Sequence, residues 1–250
     1  MKSASSEKIS LDEARLATEG LTKKFGPITA VEDVTLSISA GSCLAVFGPN
    51  GAGKTTLLKM LSLLIRPTAG TIWVDGEPAC LGSEGLNLQA KIGFLTHQPL
   101  LYGHLTSLEN MHFYGKLYGV SDLRLRAKKV LDEVGLLHRA NDPVQKFSRG
   151  MLQRVAIARA ILHQPNILFL DEPFTGLDRS GARMLGQTLD RLQLEGCSLV
   201  LTTHDFDRGL NLCDQWMILH QGRIRHYDRR NCSNKDDFAA LYESLTEEGR

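Results

Sequence analysis

The sequence predicts an α/β domain: a mainly parallel sheet flanked by helices, with an antiparallel β portion and an inserted helical subdomain. Three observations carry this. Short apolar runs bounded by glycine and proline alternate with stretches of helical periodicity, the pattern of strand–helix–strand units. One apolar run, CLAVF at 43–47, opens straight onto a glycine-rich turn and a helix. A block of purely helical texture, about 100–163, separates two of the strand runs.

The elements follow in order. CLAVF reads as a buried strand, and residues 54–65 have helical apolar spacing stopped by Pro67 and Gly70. TIWVDG and KIGFLT read as two further strands. Thr106 and Glu109 stand at capping-box spacing, so a helix is expected from Ser107. DLRLRAKKVLDEVG is a second helix ending at Gly135, and Met151, Val155, Ala158 and Leu162 give a third its apolar face. Strands return with NILFLDEP, then a helix from about Arg179, then SLVLTTH. In QWMILHQGRIRHYD, Gln221-Gly222 separates two runs as a hairpin turn does. Phe238, Leu241, Tyr242 and Leu245 share one face of a last helix, expected to pack on the core.

The 250 residues allow one large domain or two small ones with ample core. A net charge of +1 carries no polyanion footprint, and no nucleic-acid partner is expected. Five cysteines, an odd number with no Cys-x-x-Cys, argue against a disulfide framework or a zinc ribbon. Cys43 and Cys197, in apolar runs, are expected as small core hydrophobes in a reducing compartment. No apolar run approaches the ~20 residues of a membrane span. Residues 1–16 are polar, lack a signal core and are expected as a flexible lead-in to one domain at 17–250.

GPNGAGKTT, at 48–56, carries the chemistry. Gly48, Pro49, Asn50, Gly51, Ala52, Gly53, Lys54, Thr55 and Thr56 hold the whole Walker A spacing between a strand and a helix. Glycines let successive N–H groups turn toward phosphate oxygens, and the helix start adds positive potential. Lys54 supplies a charge for the β- and γ-phosphates, and Thr55 a hydroxyl for Mg²⁺. ILFLDEP then places Asp171 and Glu172 at the end of an apolar strand. Asp171 can hold Mg²⁺ through water, and Glu172 can polarise a water for in-line attack. A glycine-rich turn and an acidic strand exit are the plain alternatives; finding both in one chain argues against them.

Walker A, LDEP and a Ser-x-Gly ahead of a helix together resemble the ATP-binding cassette (ABC) family, and the resemblance runs from about Leu21 to Tyr227. It implies a P-loop NTPase fold of ABC type, with ATP and Mg²⁺ as cofactors. Gln98 matches the Q-loop glutamine, placed with the metal ligands and the catalytic groups. His204, after SLVLTT, matches the switch histidine, and Asp178 closes the D-loop Thr175-Gly176-Leu177-Asp178. Phe25 stands where an aromatic stacks on adenine; core packing is its alternative. Ser148-Arg149-Gly150-Met151 stands where the family has Leu-Ser-Gly-Gly-Gln, departing from it at Arg149 and Met151.

The resemblance implies two cassettes facing head to tail, with Ser148 and the Gly150 N–H on the γ-phosphate of the partner's ATP. It implies Lys54, Glu172, His204 and Gln98 as the hydrolytic set. The partners it implies are a second nucleotide-binding domain and separate transmembrane permease subunits at the cytoplasmic face of the cell membrane. The segment 96–120 and FSRGMLQR most resemble the ATP-binding subunit of haem exporters of cytochrome c maturation. Two other readings are a soluble ABC ATPase acting on ribosomes or DNA and a non-hydrolysing regulator. Filled positions at Glu172 and His204 argue against the last.

Overall fold

The computed structural model describes residues 14–79, 88–96, 98–229 and 235–247. At its centre is β3 (Cys43–Phe47), buried at every position, as a strand covered on both faces must be. β3 lies between β8 (Ser198–Thr202) and β9 (Gln215–His220). β7 (Ile167–Asp171), β6 (Ile92–Leu95) and β10 (Arg223–Asp228) complete a six-stranded sheet ordered β10-β9-β3-β8-β7-β6. All neighbours pair parallel except β10, which returns through the expected hairpin. Gln221 and Gly222 have φ of 49° and 76°, the pair of left-handed residues that fits a tight hairpin to strand twist. The register aligns Asp171 and Val46 with Thr202 at one edge of the sheet. Ligands of such sheets bind outside the carboxyl ends of the strands.

A second sheet is antiparallel throughout, ordered β2-β1-β4-β5, with β1 at Ala14–Phe25, β2 at Ile28–Ser39, β4 at Ala69–Val74 and β5 at Glu77–Pro78. It takes in TIWVDG. Residues 14–16, expected in the lead-in, instead open β1: Leu16 pairs with Ile38 and is fully buried. Two sheets' worth of apolar side chains draw this short segment out of solvent. Residues 1–13, the rest of that lead-in, lie outside the described residues, as do Cys80, His97 and Cys232.

α1 (Lys54–Leu61) stops short of the expected 65. Leu63 adopts φ 58°, and the N–H groups of Leu63 and Leu64 donate back to Met60 and Lys59. This is a Schellman ending, here made without glycine. The helical insert is α2 (Ser107–Leu117), α3 (Leu123–Glu133) and α4 (Arg149–Ile161), lying between two strands, β6 and β7, that pair directly. Thr106 and Glu109 form the expected capping box on α2.

α4 covers the open edge of the main sheet. Arg159 Nη2 donates to the Phe94 carbonyl (2.9 Å) and His163 Nε2 to that of Ile92 (3.0 Å), which blunts an edge strand that would otherwise expose a row of acceptors. Arg126 from α3 donates to the Ile161 and Leu162 carbonyls and so caps α4's far end. The His163 ring stacks on Tyr118 at 3.9 Å, and burial holds its pKa down at about 4.

α5 (Arg179–Leu194), α6 (Phe206–Leu212) and α7 (Lys235–Glu247) complete the layers. Phe238 of α7 is fully buried 4.8 Å from the Phe47 ring, and Leu241, Tyr242 and Leu245 pack on the same core, as expected. Cys43 and Cys197 are core residues too, but Cys43 is disulfide-linked to Cys213 rather than single. Two buried thiols on neighbouring elements, with Cα atoms 4.6 Å apart, are within bridging range.

Candidate active site

The Walker A turn leaves β3 and enters α1 through Gly53, whose φ is 102°. A β-carbon there would run into the Ala30 carbonyl oxygen of β2, so only glycine fits this close approach. Gly222 N–H donates to the Ala52 carbonyl (2.9 Å), fixing the turn from its other side. No side chain caps α1, so its leading N–H groups and dipole face the turn unclaimed. Lys54 Nζ donates across the loop to the carbonyls of Gly48 (2.6 Å) and Pro49 (3.0 Å). Burial lowers the Lys54 pKa, while Glu172 and Asp171 pull it back up. Burial outweighs the two acids, which only partly restore the cation beside the loop.

The second half comes from β7 and β8. Asp171, buried, accepts from the Thr55 hydroxyl at Oδ2 (3.0 Å) and the Thr202 hydroxyl at Oδ1 (2.7 Å). Thr55 and Asp171 form a small set of hard oxygen donors that suits Mg²⁺ completed by phosphate oxygens and water. Among the described residues no three acids, histidines or cysteines cluster as a self-sufficient metal cage. Glu172 leaves the strand at φ 52°, held by its N–H donating to the Thr202 hydroxyl (3.1 Å). That left-handed turn swings its carboxylate away from Asp171 and onto His204, whose Nδ1 donates to Oε2 at 2.8 Å. His204 is exposed and Glu172 partly buried. A carboxylate steered by an imidazole, beside a phosphate-binding turn, can take a proton from water.

Gln98 lines a cleft of about 490 Å³ with Glu172, Arg149, Gln153 and Thr175. At the cleft's edge α4 begins. Ser148 is its N-cap, accepting from the Met151 N–H at 3.3 Å, and Gly150 follows in the first turn. Asp178 caps α5 through the Gly181 N–H (2.7 Å), so its carboxylate is already engaged.

The ABC transporter family's sequence pattern matches residues 31–175. The chain belongs to that family. As an ABC chain it is 36% identical to the linearmycin resistance ATP-binding protein LnrL of Bacillus subtilis, over 84% of its length and 67% of that protein. Identity is 34% to the ABC transporter ATP-binding protein NatA of the same species, over 79% of this chain and 80% of that one. It is 33% to a Nod factor export ATP-binding protein I of Ralstonia nicotianae, over 83% and 65%. The chain thus spans about two thirds of the length of the first and third relatives. Its fold matches a dimeric ATP-binding cassette, MJ0796, in a post-hydrolysis state bound to ADP and Pi (TM-score 0.79, 29% identity, 86% of this chain and 98% of that one). It also matches an ATP-binding subunit of an ABC transporter (0.82, 28%, 91% and 98%).

In this ABC chain the Walker A residues, Asp171, Glu172 and His204 come together, with Gln98 across the same cleft as Glu172. Phe25 stands apart at the end of β1, 51% exposed, with Lys23 Nζ 5.1 Å from its ring. Ser148, Gly150 and Asp178 belong to two other helix starts. Thr202 was not foreseen from the sequence. It binds Asp171 by its hydroxyl and receives the Glu172 N–H, and so sets both acids. Its signal was present: a hydroxyl at the carboxyl end of SLVLT, level with Asp171.

Proposed function

We propose that the chain hydrolyses ATP as one of two facing nucleotide-binding domains that drive an exporter. One observation carries this: an uncapped helix start with its lysine, and an aspartate–glutamate pair held apart by Thr202, converge at one sheet edge of an ABC fold. Lys54 exchanges the two loop carbonyls for β- and γ-phosphate oxygens. Thr55 and Asp171, with Gln98, hold Mg²⁺, which neutralises phosphate charge when bound. Glu172 takes a proton from the attacking water, and His204 keeps its carboxylate aimed. Ser148, still accepting from Met151, has its own O–H free to donate to the partner's γ-phosphate beside the Gly150 N–H. Phe25 stacks on adenine, and Asp178 fixes the loop at the shared face.

The residues from β1 onward work as a single nucleotide-binding domain with a helical subdomain at about 100–163. That subdomain meets separate transmembrane permeases at the cytoplasmic face of the membrane. Among the described residues no helix is long and apolar enough to cross a membrane, which is why separate subunits enter the reading. Relatives named for Nod factor export support export over work on ribosomes or DNA. Haem as the cargo rests on the likeness of two sequence segments alone; the relatives above carry names of other cargoes.

The test is turnover per chain against protein concentration. Phosphate release should rise steeply as chains pair, and EDTA should abolish it. Full turnover in EDTA, or a rate per chain constant down to vanishing concentration, would overturn the proposal.

A further inference from the structure

Arg149 is, with Met151, one of two departures from the family pattern at the start of α4, and its position there is physically odd. A cation in a helix's first turn opposes the dipole. Arg149 is exposed, and its guanidinium makes no hydrogen bond or ion pair among the described residues. Charge therefore does not account for where it lies.

Its stem does. Gly176, in the loop that follows Glu172, has φ 81°, and a β-carbon on it would stand 2.9, 3.0 and 3.2 Å from Nε, Cδ and Cγ of Arg149. The arginine stem is thus laid flat over the bare α-carbon of Gly176, as long cationic side chains cover apolar surface with their methylenes. Two further contacts join the same elements. A β-carbon on Gly150 would meet the Gly176 carbonyl oxygen at 3.2 Å. The buried amide of Gln153 donates to the Pro173 carbonyl at 3.0 Å. All three lie on the first turns of α4, and all reach the segment 173–176 directly beyond Glu172.

We propose that Arg149 is a positioning residue: its stem straps loop 173–177 to the start of α4. The loop that follows Glu172 then moves as one body with the helix start proposed to meet the partner's nucleotide. This rests on the two-chain reading above. Arrival of a phosphate at Ser148 of one chain would, through the strap, set the loop beyond Glu172 in that same chain.

The test compares Arg149→Gly, Arg149→Met and Arg149→Lys in the full chain. Arg149→Gly should lower kcat about tenfold, the cost of a small misplacement at a reacting centre, with KM for ATP within about twofold. Met, which keeps an unbranched stem without charge, should restore most of the rate, and so should Lys. Hydrogen exchange should quicken at 173–177 in Arg149→Gly while α1 stays protected. Wild-type kcat in Arg149→Gly would overturn the strap. So would rescue by Lys but not Met, or a raised KM with kcat unchanged, either of which makes the arginine a phosphate contact. Should turnover prove independent of pairing, the two-chain reading falls. The exchange measurement still decides the strap, and unchanged exchange at 173–177 would end it.

Discussion

The start of α1 and the start of α4, the two anion seats of the reading proposed above, are built in opposite ways. At α1 no side chain caps the helix, and everything else a phosphate needs comes from the same chain: Lys54, Thr55 and, through Thr55, Asp171. At α4 the cap is filled by Ser148, Ser148 and Arg149 are exposed, and among the described residues no lysine or acid side chain bonds to them. A helix start surrounded by its own charge partners is a whole site. One that is capped and turned to solvent is, in the two-chain reading proposed above, half of one, its other half supplied by the partner. The cassette MJ0796, whose fold this chain matches, is dimeric, which supports that reading.

The comparison breaks first at the carboxylate between the two seats. Glu172→Gln should bind Mg-ATP yet lose about a thousandfold in kcat, within the range removed with a general base, and should accumulate as a closed pair by size exclusion. A turnover close to wild type would take Glu172 out of the chemistry. Next comes the whole site. Lys54→Ala should weaken ATP binding by about a hundredfold, as losing charge-assisted hydrogen bonds does. A fluorescent-nucleotide titration checks it. The same variant should leave the α4 seat able to serve a wild-type partner, so mixed pairs should retain one working site.

The two seats also differ in how they could be read from sequence. The first is local: strand, turn, helix and lysine lie within 43–61, and LDEP supplies its acids at a strand end. The α4 seat could be read as a capped helix start, but its purpose comes from family resemblance alone, because the groups proposed to complete it lie on another chain. β1 and β2 went unread for a different reason. Their pairing shifts register at Ala14/Leu16, Thr18/Leu21, Leu21/Lys23 and Lys23/Lys24, and each bulge breaks the alternation that marks a strand. The end of α1 was misjudged because Leu63 takes a left-handed cap usually left to glycine. Thr202 was missed because its role depends on the register between β7 and β8, which no spacing along the chain reveals.

Acid should loosen the element that carries the second seat, because α4's far end leans on His163. In the folded chain His163 titrates at about 4, against 6.5 when free. Burial is the main cause; Arg159 and Arg126 lower it further, and the Ile92 carbonyl opposes them. Above pH 6.5 neither state holds the proton and nothing is lost. As the pH falls toward 4 the unfolded chain takes up a proton that the folded one refuses, so stability drops. At pH 5 the loss is on the order of 2 kcal/mol. Thermal melts of wild type and His163→Gln should diverge by that amount between pH 7 and 5, the variant being flatter. Parallel curves would show that His163 carries no proton linkage.

The smallest effect separates the two duties of Ser148. As an N-cap its hydroxyl accepts from Met151. Ser148→Ala should therefore cost about 1 kcal/mol of stability, whereas Ser148→Gly should cost only a few tenths. As a phosphate ligand the same hydroxyl donates, and both substitutions remove that donor equally. Turnover at saturating ATP should then fall by about tenfold in both, one charge-assisted hydrogen bond, while only the alanine chain melts earlier. A rate that tracks the melting temperature, falling in Ala and surviving in Gly, would make Ser148 a cap alone. The α4 start would then be an ordinary helix beginning, and the asymmetry between the seats would lose its functional meaning.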